Sequence, residues 1–191
     1  MLRKTLAPVV VSLFIGGAAL AAPPPPAEQI SATEQASKLS NSFSVLHAVG
    51  RWSINVSELA ETHAQSDLVK DYARSMMTTN TTADQKLMSV AQTHKLDIVA
   101  LDPQTEQGKS LADRMKGELV LLGSLQGDAF DKEYMTLVTN TQQSVIHVLD
   151  SKKAMATNPE VKQLLGDMAV TVRNRLQTAQ DIMAKVYADS V

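Results

Sequence analysis

Four histidines, His47, His63, His94 and His147, are the side chains best suited to hold a metal ion or move a proton near neutral pH. A helical di-metal site needs Glu-x-x-His on two helices and an inward Glu on two others. The residues three places before the histidines are Ser44, Ala60, Ala91 and Ser144, so none meets that spacing. No two histidines lie within one helical turn, and no His-Glu-x-x-His occurs. The chain has no Cys, which excludes disulfides, thiolate metal sites, iron–sulfur clusters, thiol nucleophiles, Cys-attached haem and an acylated lipoprotein Cys. Nucleophilic catalysis has no Gly-x-Ser-x-Gly elbow, and phosphate binding has no Gly-rich loop. Nine methionines are present; thioethers hold Cu(I), but only Met76 and Met77 are adjacent, and scattered Met reads as adaptable core filler. The sequence therefore predicts no catalytic residue, no cofactor and no metal ligand. Convergence of His and carboxylates from different helices is the one route to a metal left open.

The elements that carry these residues are helices. The chain has 191 residues, 18 Lys+Arg, 20 Asp+Glu and a net charge of -2, with 4 % aromatics. That balance suits one domain and argues against a nucleic-acid binder, which shows a basic face with stacking rings. Residues 1–21 read as a secretory signal: Arg3 and Lys4, an apolar run from Leu6 to Leu20, and Ala19-Leu20-Ala21 before the cleavage point. A retained signal-anchor is the alternative. Residues 22–31 contain Pro23 to Pro26 and form a Pro-rich spacer. Residues 32–191 are the predicted bundle domain.

Hydrophobic periodicity predicts four long helices and a short extra one. The first runs from about Ala32 to Ala64, with Val45, Val49, Trp52, Val56, Leu59 and His63 at spacings of four and three. The second runs from about Asp67 to Lys95 behind Ser66 as N-cap, with Val69, Ala73, Met76, Asn80, Ala83, Leu87, Val90 and His94 on one line. A short amphipathic stretch follows from about Thr105 to Leu122, and Gly123 and Gly127 bracket a break. The next helix starts near Asp128, with Phe130, Tyr134, Leu137, Thr141, Val145 and Val148 on one face. Asn158-Pro159-Glu160 opens the last helix, because Asn caps and Pro suits the first helical position. Its stripe is Val161, Leu164, Met168, Val172, Arg175, Ala179, Ile182 and Val186. Strand signals are nearly absent. The predicted fold is all-α, an antiparallel four-helix bundle. His63 and His94 fall at helix ends, where the dipole favours a cation.

Polar residues interrupt these stripes. Asn80 and Arg175 lie on them, and Asn55 and Gln142 flank them. The four read as a structural polar layer that sets helix register; a solvent-facing position or a ligand site are the alternatives. A buried Arg175 needs a partner, with Glu58, Asp150 or a neighbouring subunit as suppliers. Residues Ser66, Val69, Lys70 and Met76 are echoed by Asn158, Val161, Lys162 and Met168, as a duplicated hairpin or ordinary cap chemistry would produce.

From Phe43 to Val186 the chain resembles a bacterial family of exported, ferritin-like helical proteins known as a domain of unknown function. The resemblance rests on Glu58-Leu59-Ala60 with Ala64-Gln65-Ser66, on Val69-Lys70-Asp71-Tyr72-Ala73 with Met76, on Phe130-Asp131-Lys132-Glu133-Tyr134, and on Val172-Arg173-Asn174-Arg175-Leu176. It implies interior acids and histidines at positions that here are Asn55, Asn80, Asn140, Gln142 and Arg175, so this chain keeps the scaffold without those ligands. In size and layout, though in no motif, the chain is similar to the small subunit of membrane-bound quinoprotein alcohol dehydrogenases of acetic acid bacteria. The expected function is a non-catalytic exported accessory subunit that stabilises or couples larger subunits of a membrane-associated complex. Its expected place is the periplasm, peripheral to the inner membrane through those partners. The alternative is a ferritin-like metal-binding or envelope-stress protein acting alone.

Overall fold

Helix starts and stops follow local chemistry. The computed structural model describes residues 32–101 and 105–188; the predicted signal peptide and Pro-rich spacer, residues 1–31, lie outside them. Five helices occupy the described residues, with no strand among them: α1 (Ala32–His63), α2 (Asp67–Thr93), α3 (Glu106–Gly123), α4 (Gly127–Met155) and α5 (Pro159–Ala188). Asn158 caps α5 as its sequence predicts, its Oδ1 accepting from the backbone N–H of Glu160 (2.9 Å) and Val161 (3.2 Å). Ser66 stands at the N-cap of α2, but its side chain makes no capping bond. The carboxylate of Asp131, reaching across from α4, accepts from the backbone N–H of Ser66 (2.7 Å) and Gln65 (3.2 Å) instead. Lys95, in the left-handed region at φ 53, ends α2: its N–H bonds the Gln92 carbonyl and the Leu96 N–H bonds that of Ala91, a turn in which Gly is the usual residue.

The long helices form a four-helix bundle. α1 pairs with α2 and α4 with α5, and the two hairpins join through α1–α4 and α2–α5 contacts. Neighbours run antiparallel. The end of α1 meets the start of α4 through His63 Nδ1, which donates to the Leu125 carbonyl at 2.7 Å. The end of α2 meets the start of α5 through His94 Nε2 and Glu160 at 2.8 Å. α4 must therefore begin at the end of the bundle opposite to where α2 stops. α3 makes that return along the outside, in contact with α1 and α4. Leu122 is its one buried residue, and the Trp52 indole N–H donates to the Met115 carbonyl at 3.0 Å, tying α3 to α1.

Two apolar clusters fill the interior. One gathers Val56, Val69, Phe130, Tyr134 and Ile182 toward the α1–α2 turn. The other gathers Phe43, Leu87, Leu149, Leu164 and Val172 toward the α4–α5 turn. Burying such side chains stabilises the fold by about 1.5–3 kcal/mol each. The stripes of α2 and α5 face inward as their spacing predicts, with Met168, Arg175, Ala83 and His94 only partly covered. On α1 the buried line is rotated by about one position. Leu46, Ser53, Ser57 and Ala60 are buried, whereas Val45, Val49 and Leu59 are half-covered. Four buried serines, Ser42, Ser44, Ser53 and Ser57, account for the rotation. Ser42 and Ser44 donate to the carbonyls of Lys38 and Ser40, so a polar side chain is satisfied within its own helix and can face the core.

Candidate functional site

At mid-height, between the two apolar clusters, the bundle turns polar. Asn80 on α2, Gln142 on α4 and Arg175 on α5 come together there. Arg175 Nη1 donates to Asn80 Oδ1 at 2.8 Å and to Thr79 Oγ1 at 2.9 Å. The Thr79 hydroxyl can accept because it spends its own proton on the Ser75 carbonyl at 2.7 Å. Gln142 Nε2 bonds the Tyr72 hydroxyl, which lies 3.4 Å from the Arg175 carbonyl oxygen. Deeper in the same region the Ser57 and Tyr134 hydroxyls bond each other at 2.8 Å. Burial pushes both tyrosine hydroxyls above their ordinary range and pulls the Arg175 guanidinium below its own, with Tyr72 and Tyr134 acting the other way on Arg175.

The placement corrects part of the predicted layer. Asn55 is exposed and takes no part. It lies two residues from both Ser53 and Ser57, about 200° round the helix from each, so burying those serines turns it outward. Asn140 is exposed as well. Neither proposed acid reaches Arg175: Glu58 is exposed and Asp150 pairs with Arg173. Among the described residues no carboxylate forms an ion pair with Arg175. Thr79 and Tyr72 belong to the network, and the Ser57–Tyr134 pair lies beside it, although sequence reasoning did not nominate them for it. Tyr72 carried a signal, since Tyr72, Met76 and Asn80 are spaced by four.

The layer opens onto a cavity of about 290 Å³ bounded by α1, α2, α4 and α5. Its walls are largely apolar, including Leu46, Met76, Leu87, Val145, Leu164 and Val172. Three buried polar atoms of the layer have no hydrogen-bond partner among the described residues: Asn80 Nδ2, Gln142 Oε1 and Arg175 Nε. Asn80 is 8 % exposed and Gln142 3 %, so bulk water does not satisfy these side chains freely. The rim toward solvent carries Thr78, Thr82 and Lys86 of α2 and Asp167 and Thr171 of α5. Lys86 Nζ and Asp167 Oδ2 lie 3.5 Å apart across it.

The histidines serve elsewhere. His47 Nδ1 sits 2.6 Å from Asp84 Oδ1, joining α1 to α2. His63 and His94 occupy helix ends as predicted, and His147 is exposed. Among the described residues no three His, Asp or Glu side chains form a group able to hold a metal ion. Among those residues, too, no helix is long and apolar enough to cross a membrane.

A family model described as "Domain of unknown function (DUF4142)" matches residues 23–182. The chain belongs to the DUF4142 family. No curated protein matches it. Among solved structures, this DUF4142 chain is similar to a crystal structure of a protein from Streptomyces coelicolor described as secreted and as DUF305. The TM-score is 0.63 at 16 % identity, covering 80 % of this chain and 93 % of that one. At that identity the likeness concerns the helical fold.

Proposed function

We propose that this protein is a non-catalytic accessory subunit of a membrane-associated periplasmic complex and works by docking a larger partner. The observation that carries this reading is α3. This helix crosses the outside of the bundle and buries a single side chain, Leu122, while the adjacent Val120 and Leu121 are 66 % and 46 % exposed. Adjacent apolar side chains held out on an ordered helix fit the centre of a protein interface, where specific contacts bury about 1,200–2,000 Å². The single-crossover helix order is that of ferritin-like bundles, which supports placing the protein among exported scaffolds of that kind. A quinoprotein alcohol dehydrogenase is the partner suggested by size and layout.

The test is affinity purification of the tagged full chain from gently solubilised membranes, followed by mass spectrometry. A larger protein should be recovered at fixed stoichiometry and should be lost in a Val120→Glu/Leu121→Glu variant that keeps its helical signal. Recovery of the chain alone from the soluble envelope fraction would refute the accessory role.

A further inference from the structure

The mid-bundle cavity stands apart from the α3 face. Its polar end is lined by Asn80 and by Arg175, a guanidinium with no counter-anion among the described residues; Arg175 Nε–H and Asn80 Nδ2–H are buried there without a partner, so a ligand reaches them through a side-chain shift. The rest of the wall is mostly apolar. We propose that this cavity binds a monocarboxylate with a compact apolar body, its carboxylate held by Arg175 and Asn80 and its body lying among Leu46, Leu87, Val145, Leu164 and Val172.

The charge count favours a monoanion. One arginine faces the space, and the only other cation on its lining, Lys86, is at the rim and engaged with Asp167. Asp84 and Asp167 also border the cavity, so a dianion such as phosphate would meet more repulsion than a single guanidinium offsets. A carboxylate supplies two acceptor oxygens to a planar donor group, the geometry in which arginine binds most selectively. The remaining orphan is also accounted for. The Tyr72 hydroxyl can donate or accept, so the Gln142 amide can bond it through either end. With its oxygen toward Tyr72, the amide oxygen is satisfied, in place of the Tyr72 bond to the Arg175 carbonyl. The volume is at the small end of the range for ligand sites, ~300–1,000 Å³, which limits the body to a short alkyl chain or a single ring. Entry lies between α2 and α5, where threonines form most of the rim and the Lys86–Asp167 pair is solvent-exposed and therefore weak.

Isothermal titration of the purified full chain with octanoate, 1-octanol, octyltrimethylammonium and inorganic phosphate tests this directly. Octanoate should bind at one per chain and raise the melting temperature. Octanol should bind about tenfold more weakly or worse, the ratio expected when a charge-assisted hydrogen-bond pair is lost. The cation and phosphate should not compete. Arg175→Met should lose that octanoate preference while leaving octanol binding unchanged, a split that a merely structural arginine would not produce. Ala83→Leu, which adds bulk at the cavity wall, should weaken both ligands and keeps the proposal testable if Arg175→Met does not fold. Octanoate and octanol binding alike, Arg175→Met binding octanoate as the wild type does, phosphate binding more tightly than octanoate, or no octanoate binding up to about 10 mM would each overturn it. None of these results depends on whether α3 has a protein partner.

Discussion

Removing the Asp131 side chain should loosen the start of α2. That carboxylate is 1 % exposed and accepts two backbone N–H bonds, from Ser66 at 2.7 Å and Gln65 at 3.2 Å. The Ser66 side chain makes no capping bond of its own. A hydrogen bond to a charged group contributes ~1.5–3 kcal/mol, and loss of a cap costs ~0.5–2 kcal/mol. Asp131→Ala removes two such bonds but also relieves the burial of a charge, so the net loss should be about 2–4 kcal/mol. In a domain of this size that lowers the melting temperature by roughly 5–12 °C. Asp131→Asn keeps an acceptor and should lose about half as much. The pH dependence has a definite sign. Burial raises the Asp131 carboxyl above its ordinary 3.8, with the two backbone bonds opposing. The folded protein then holds the proton more tightly than the unfolded chain. That contribution to stability is fully present below the ordinary value and is lost as pH rises through the raised one. The wild type's advantage over Asp131→Asn should therefore be largest at acid pH and shrink toward neutrality. Thermal unfolding followed by far-UV circular dichroism between about pH 4 and pH 7 reads both effects. An Asp131→Ala midpoint unchanged at neutral pH would refute the capping role. A wild-type advantage that grows with pH would refute the dominance of burial.

Three further substitutions test other local features. Lys95→Gly should stabilise by about 0.5–1 kcal/mol in urea unfolding, because Lys95 holds a left-handed φ of 53 that Gly adopts without strain. Gly127→Ala should destabilise by about 1 kcal/mol or more, since Gly127 has φ 60 and an added Cβ would meet Gln65 Oε1 at 3.2 Å. Tyr134→Phe should cost about 1–2 kcal/mol by stranding the buried Ser57 hydroxyl, and adding Ser57→Ala should cost less than the sum of the single changes.

The helices were legible because their apolar residues recur at helical spacing and their ends carry Asn-Pro, Gly and an acid at the right positions. Inward placement of Asn80 and Arg175 was legible for the same reason, since each sits on an otherwise apolar stripe. Asn55 misled because it flanks the Trp52–Val56 stripe, whereas the buried line also takes in Ser53 and Ser57, small side chains that pack in the core, with the Ser57 hydroxyl bonded to Tyr134. Asp131 escaped notice although Asp131, Met135, Val138, Gln142 and Leu149 share a buried line on α4. An acid on such a line signals a tertiary cap only when the helix it caps can be located in space. The cavity was not legible at all. Spacing assigns residues to a face, while the gap between α2 and α5 depends on how two faces meet. The run Thr78, Thr79, Thr81 and Thr82 has each hydroxyl bonded to the carbonyl four residues back, so these side chains are satisfied within α2 itself.

The external route of α3 bears on how the chain assembles. Each hairpin is closed by a turn of a few residues, at 64–66 and 156–158, so its two helices meet through contacts close in sequence. Such local pairings form early and fast. Joining the hairpins closes the long segment 94–126, whose entropic cost rises only as the logarithm of its length, about 0.6 kcal/mol per doubling. On that account a crossover of different length could serve the same two hairpins, provided the Met115, Leu122 and Leu125 contacts are kept.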